Sequence, residues 1–134
     1  MCLSNASKIK IAKKDIVCWV GRYKLAEGKY KSPYKGCIML TNKVYKAQGG
    51  LSILEMMSRM MCREVGAGCF HSYKNKEDAR DGCVVMEAII PKGTRYYTGV
   101  NWKGFSRLSD GYASKKLKLV KEVWNERILR DSYL

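Results

Sequence analysis

The sequence predicts an α+β domain, a small and mostly antiparallel sheet packed against one main helix and one or two short helices. Three observations predict it. Segments dense in β-branched and aromatic residues recur along the chain, turn-forming clusters separate them, and one stretch carries apolar residues at helical spacing. At 134 residues the chain has the length of one domain, residues 1–134, and it shows no linker, repeat or low-complexity tract. Hydrophobic residues make up 46% and charged residues 28%, apolar enough to build a core and too apolar for a disordered chain.

The first fifteen residues have no clear period and read as an arm or loop. "DIVCWVGRYK" then has the β-branched and aromatic density of a strand from Ile16 to Tyr23. "AEGKYKSPYKG", with Pro33 between two glycines, reads as an exposed loop. A short strand from Lys43 to Ala47 precedes Gly49 and Gly50. "LSILEMMSRMMCRE" is the main helix: Leu51, Leu54, Met57 and Met61 share one face, and Ile53, Met56 and Met60 broaden it. Methionine at this spacing fits a core better than an adaptable binding surface.

A strand from Cys69 to Tyr73 leads into a short helix from Lys76 to Asp81, with Asn75 as N-cap, Glu77 and Asp78 in the first turn, and Gly82 closing it. A buried strand ending at Ile90, a turn at Pro91 to Gly93 and a strand from Arg95 to Val100 predict a hairpin. "NWKGFSRLSDGYAS" reads as a loop. "KKLKLVKEV" is a last strand with Leu117 and Leu119 on one side and Lys116 and Lys118 on the other. "NERILRDSYL" predicts a terminal helix docked through Ile128 and Leu129.

Lysine and arginine number 26 against 12 acidic residues, a formal charge of +14. An excess of this size repels itself, so a polyanionic partner that neutralises it is expected. No apolar run approaches the roughly eighteen residues of a membrane span, and the N-terminus lacks the apolar core of a secretory signal, so the expected place is the cytoplasm, away from membranes. In that compartment Cys2, Cys18, Cys37, Cys62, Cys69 and Cys83 are expected as free thiols, with Cys18, Cys37 and Cys83 acting as small hydrophobes.

The chemistry of a metal or cofactor site is sparse, and no cofactor and no catalytic residue are predicted. No C-x-x-C pair occurs. Cys69 and His71 fall on one strand face, yet a metal would need Cys62 or Cys83 as well. His71 is the sole histidine, better explained as structural than as half of a Cys–His nucleophile. "GAG" at Gly66 to Gly68 lacks the Lys-Ser/Thr ending of a phosphate loop, and the acidic residues are scattered.

Basic residues interleaved with aromatics are the richest remaining signal. Arg22, Lys24, Lys29, Lys31 and Lys35 lie beside Tyr23, Tyr30 and Tyr34; Lys92, Arg95 and Lys103 lie beside Tyr96, Tyr97 and Trp102. Lys115, Lys116 and Lys118 add a third group. Cations attract phosphates and flat rings stack unpaired bases, so these lysines and arginines, with Tyr30, Tyr34 and Trp102 as stackers, predict a surface for RNA or for a protein–RNA complex. Single strands or structured RNA fit better than duplex DNA, because no recognition helix is apparent.

"MCL", "IAKKDIVCW", "SPY" at Ser32 to Tyr34, "FHSYKNKEDA" from Phe70, "IPKGTRYYTG" from Ile90 and "YASKKLKLV" from Tyr112 follow one another in order across most of the chain. This ordered set resembles a family of small proteins from phages and prophages of Bacteroidota-type bacteria. The resemblance implies an accessory inhibitor of bacterial defence, foremost an anti-CRISPR that binds a guide RNA or an RNA-guided nuclease complex, and alternatively a sponge for anionic cyclic-nucleotide signals. A fainter likeness is to ADP-ribosyltransferase folds, through Tyr45-Lys46, His71-Ser72-Tyr73 and Pro91-Lys92-Gly93-Thr94. Lysine stands where that family has arginine and no Glu-x-Glu follows near "DGYASKK", which implies lost transferase activity.

Overall fold

The computed structural model describes residues 2–4, 6–33, 37–47, 69–103 and 106–125. Eleven strands run through them: β1 (Cys2–Ser4), β2 (Lys10–Ile11), β3 (Ile16–Ala26), β4 (Lys29–Lys31), β5 (Ile38–Leu40), β6 (Val44–Lys46), β7 (Phe70–Tyr73), β8 (Val84–Ile90), β9 (Arg95–Lys103), β10 (Ser106–Ser114) and β11 (Lys116–Asn125). They form one sheet with the path β1-β9-β10-β7-β3-β8-β11-β6, β2 adding to β9 and the β4–β5 pair to β3.

The expected α+β class is corrected by this arrangement. The described chain is nearly all antiparallel sheet, no helix reaches seven residues, and the sheet does not pack on a main helix. The segment expected as that helix, residues 51–64, lies outside the described residues, as does the expected terminal helix beyond Asn125. The short helix after Asn75 is a 3-10 turn, Lys76–Asp78, and Asn75 makes no side-chain cap bond. Three residues form too few turns for capping to decide the outcome.

Stretches expected as loops are also strands. "NWKGFSRLSDGYAS" supplies the end of β9 and all of β10, where Gly111 faces a neighbouring strand at close range instead of forming a turn. Gly111 shows why: a Cβ there would stand 2.4 Å from the Ser72 carbonyl oxygen. The expected β8–β9 hairpin is absent. After the Pro91–Gly93 turn the two strands part, β8 to lie between β3 and β11, β9 to pair with β1, β2 and β10.

Pairing closes on itself around the main core. β3 pairs β4, β4 pairs β5, Thr41 after β5 bridges Leu119 of β11, β11 pairs β8, and β8 pairs β3. Closure buries one side of every strand in the ring, and period-two alternation decides which residues fill it. Cys18, Val20, Tyr30, Met39, Met86, Ala88, Ile90, Leu117 and Leu119 fall inside. β8 is apolar almost throughout because it is covered on both faces: Val84 and Met86 join this core, and Val85 packs with Tyr73 and Ala79 on the other side. Gly21 makes that second layer feasible, since a Cβ on it would meet the Asp81 amide nitrogen at 2.7 Å.

Candidate nucleic-acid interface

Antiparallel pairing sets the starts of β3 and β11 against the finishes of β6 and β8, and the start of β9 against the finish of β10; the β8–β9 turn and Lys115 join the two groups into one basic end. Cations collect there. Ile11 of β2 opposes Arg95, and Lys10 opposes Tyr96. The Gly93 amide donates to the Ala12 carbonyl, and the Lys92 amide donates to an Asp15 carboxylate oxygen at 2.8 Å, so Lys13 and Lys14 flank the β8–β9 turn that carries Lys92. The Lys115 amide donates to the Arg95 carbonyl, the Ala47 amide donates to the Lys115 carbonyl, and Lys116 stands directly opposite Lys46.

Lys10, Lys13, Lys14, Lys46, Lys92, Arg95 and Lys116 are all exposed, and none makes an ion pair among the described residues. Two lysines directly opposite on neighbouring strands repel each other. Lys118, two positions along β11, is half-buried and stands between Ile89 and Val44. Lys115 is half-buried in the β10–β11 turn.

The expected site residues therefore divide. Lys92, Arg95, Lys115, Lys116 and Lys118 come together at this end. Lys29 and Lys31 are exposed on β4, away from it. Lys24 faces inward, where its ammonium pairs with Glu122 at 2.8 Å and Glu27 at 2.9 Å; these carboxylates hold its pKa above the ordinary lysine value. Arg22 is only 6% exposed and donates to the Gly21 carbonyl at 2.8 Å; burial pulls its pKa down. Tyr30 is 2% exposed, its hydroxyl donating 2.5 Å to Glu122, so no face of its ring is offered to a base. Burial first, then the Glu122 contact, pushes its pKa up. Trp102 and Lys103 lie at the far end of β9, and Tyr34 and Lys35 lie outside the described residues.

Sequence reasoning missed Lys10, Lys13, Lys14 and Lys46. The signal for the first three was "IKIAKKD", read as an arm; it becomes a site only once β2 is known to lie along β9. The rings of this end are structural: Tyr96 meets Tyr112 edge-on with centroids 6.1 Å apart, and both pack on the main core. What the end presents is charge with little free aromatic surface.

Two other features bear on chemistry. A cleft of about 290 Å³ is lined by Cys37, Met39, Tyr45, Lys46, Cys69 and Phe70 among others, mostly apolar, with Lys46 as its single cation among the described residues. The Tyr45 hydroxyl accepts the Leu40 amide at 2.9 Å. Among the described residues no three His, Cys, Asp or Glu side chains are grouped to hold a metal, and no helix is long and apolar enough to cross a membrane. Cys18, Cys37 and Cys83 are free thiols, Cys18 buried as expected and Cys37 exposed rather than packed. No family model, curated protein or solved structure matches this chain.

Proposed function

We propose that the protein binds single-stranded or structured RNA through the basic end of its sheet. The observation that carries this reading is the gathering of Lys10, Lys13, Lys14, Lys46, Lys92, Arg95 and Lys116 with no carboxylate paired to them among the described residues. Like charges held this close raise the free energy of the unliganded protein, and phosphates relieve it. Because Tyr96 and Tyr112 are committed to each other and to the core, binding rests on phosphate and sugar contacts, which fix position and tolerate sequence. No helix of seven residues or more is available among the described residues to read a major groove, which favours RNA over duplex DNA.

The setting we propose is the cytoplasm of a bacterial host, where the protein acts without catalysis as a phage-derived inhibitor of defence. An anti-CRISPR role, through the guide RNA or the RNA channel of the nuclease complex, suits the charge. The largely apolar lining of the cleft gives less support to a sponge for cyclic nucleotides, which would need several cations converging on one small anion.

The test is fluorescence anisotropy with labelled single-stranded RNA, hairpin RNA, duplex DNA and a cyclic dinucleotide across a salt series. With about five phosphates engaged at roughly 0.7 counterion each, RNA affinity falls about a hundredfold between about 50 and 200 mM salt. No RNA binding at low salt refutes the proposal.

A further inference from the structure

The β3–β4–β5 ribbon carries a second surface, unlike the first in composition. Along β4, Lys29 and Lys31 point outward around the buried Tyr30; along β5, Ile38 and Leu40 do so around the buried Met39. The register aligns Tyr23, Lys31 and Ile38 in one row and sets Lys29 against Leu40 in the next. Leu25, the extra residue where the β3–β4 register shifts between Lys24 and Ala26, lies beside that row. Tyr23, Leu25, Ile38 and Leu40 leave between 45% and 50% of their surface in water, and neither Lys29 nor Lys31 has an ion pair among the described residues. Two apolar columns thus flank a cationic one; the other large apolar side chains as exposed among the described residues, Ile9, Ile11, Val17 and Val44, lie outside these rows. Exposed apolar surface gathered in this way marks interaction sites.

We infer that this face docks an acidic amphipathic helix of a partner protein. The dimensions fit. Adjacent strands are about 4.8 Å apart, so the three columns span about 10 Å, the width of one helix. Lysines two apart on a strand are separated by about 6.7 Å, close to the roughly 6 Å between helix positions i and i+4. A helix lying along β4 therefore sets two carboxylates on Lys29 and Lys31 while flanking leucines or methionines cover Tyr23 and Leu25 on one side and Ile38 and Leu40 on the other.

Other occupants fit less well. Three of the four apolar residues are aliphatic and give a nucleic acid no plane to stack on. A second copy of a chain of formal charge +14 is repelled by a lysine column. An added strand at the β5 edge meets an amide already engaged, since Leu40 donates to Tyr45. The inference stands independently of RNA binding at the basic end.

The experiment titrates isotope-labelled full-length protein with a synthetic helical peptide carrying glutamates at i, i+4 and i+8 flanked by leucines. NMR shifts confined to β3, β4 and β5 are expected, with peptide affinity about tenfold lower in Lys29→Glu/Lys31→Glu and in Tyr23→Ser/Leu25→Ser, each checked for an unchanged melting temperature. A peptide with glutamine for glutamate should bind equally poorly. Equal binding of the glutamine peptide, no loss in either folded variant, or the same NMR shifts produced instead by single-stranded RNA or by vesicles of phosphatidylserine and phosphatidylcholine overturns the inference. RNA affinity of both variants is measured in parallel, so a failure here is distinguishable from failure at the basic end.

Discussion

Lys24 and Lys116 both lie on long strands of the same sheet, yet they sit in opposite electrostatic settings. Lys24 pairs with half-buried Glu122 and with exposed Glu27, and Glu122 also takes the Tyr30 hydroxyl and the Asn125 side-chain amide. Lys116 looks out at Lys46, and neither has an ion pair among the described residues. The first lysine is spent on holding β3 to β11 across the ring; the second adds only repulsion to the folded state. The lesson is that a count of basic residues does not locate a ligand. The missing counter-charge does.

The largest expected effect comes from reversing the unanswered cations. Lys46→Glu/Arg95→Glu/Lys116→Glu should lower RNA affinity by about a hundredfold or more at moderate salt and flatten the salt dependence, since three phosphate contacts are lost. The melting temperature should stay within a few degrees, because all three side chains are exposed. Lys24→Gln is the matched control, and its RNA affinity should remain within about twofold. If the two variants weaken RNA binding alike, bulk charge and not the basic end is responsible.

Breaking the answered side should do the reverse. Glu122→Ala leaves the Tyr30 hydroxyl without its acceptor inside the ring and Lys24 with only an exposed partner. A loss of about 1–3 kcal/mol in urea unfolding is expected, the usual cost of stranding a buried polar group, with RNA affinity unreduced.

Much of this division was legible in the sequence, and the part that was not has a physical cause. Alternation in "KLKLV" correctly sends Leu117 and Leu119 to the core, and "VVMEAII" reads as a buried strand because it is one. β10 was illegible since its "SRLSDGYAS" has the composition of a loop; close approach to Asn101 and Ser72, which only glycine permits at position 111, makes it a strand. The basic end was half legible. "KGTR" and "KKLK" stand out as charge, but Lys10, Lys13 and Lys14 join them only through the β2–β9 pairing, a contact across more than eighty residues that no local pattern encodes. Conversely, Lys24 looked like surface because the strand was ended at Tyr23, Tyr30 because β4 was read as a loop, and Arg22 because its charge hid the alternation that sends it inward with Cys18 and Val20.

The pH response separates the same regions. Burial pushes Glu122 up, but hydrogen bonds from Lys24, Tyr30 and Asn125 outweigh it, so its folded pKa lies below the ordinary value. Stability from that site is present above the unfolded carboxylate pKa and is lost as pH falls through the folded one. At the alkaline end burial pushes the Cys18 thiol from 9.0 up to about 12. The folded state keeps a proton that the unfolded state releases, so stability should decline by roughly 1 kcal/mol per pH unit above about pH 9. Urea unfolding of wild type and Cys18→Ala at pH 8 and pH 10 checks this: the variant should lose the part of the decline that Cys18 supplies.

The smallest effect is the sharpest discriminator. Lys46→Glu turns a like-charged cross-strand pair into an opposite-charged one with Lys116, and such exchanges are worth about 0.2–1 kcal/mol in favour of folding. The same change removes one phosphate contact and adds a repulsive charge, which should weaken RNA binding several-fold. Stability and affinity therefore move in opposite directions from a single substitution. A lysine answered by a carboxylate, such as Lys24, loses stability on substitution and leaves RNA affinity nearly unchanged, so it cannot give that result. If Lys46→Glu destabilises the protein, the repulsion inferred at the basic end is already relieved by groups of the chain itself, and the case for an external polyanion there falls.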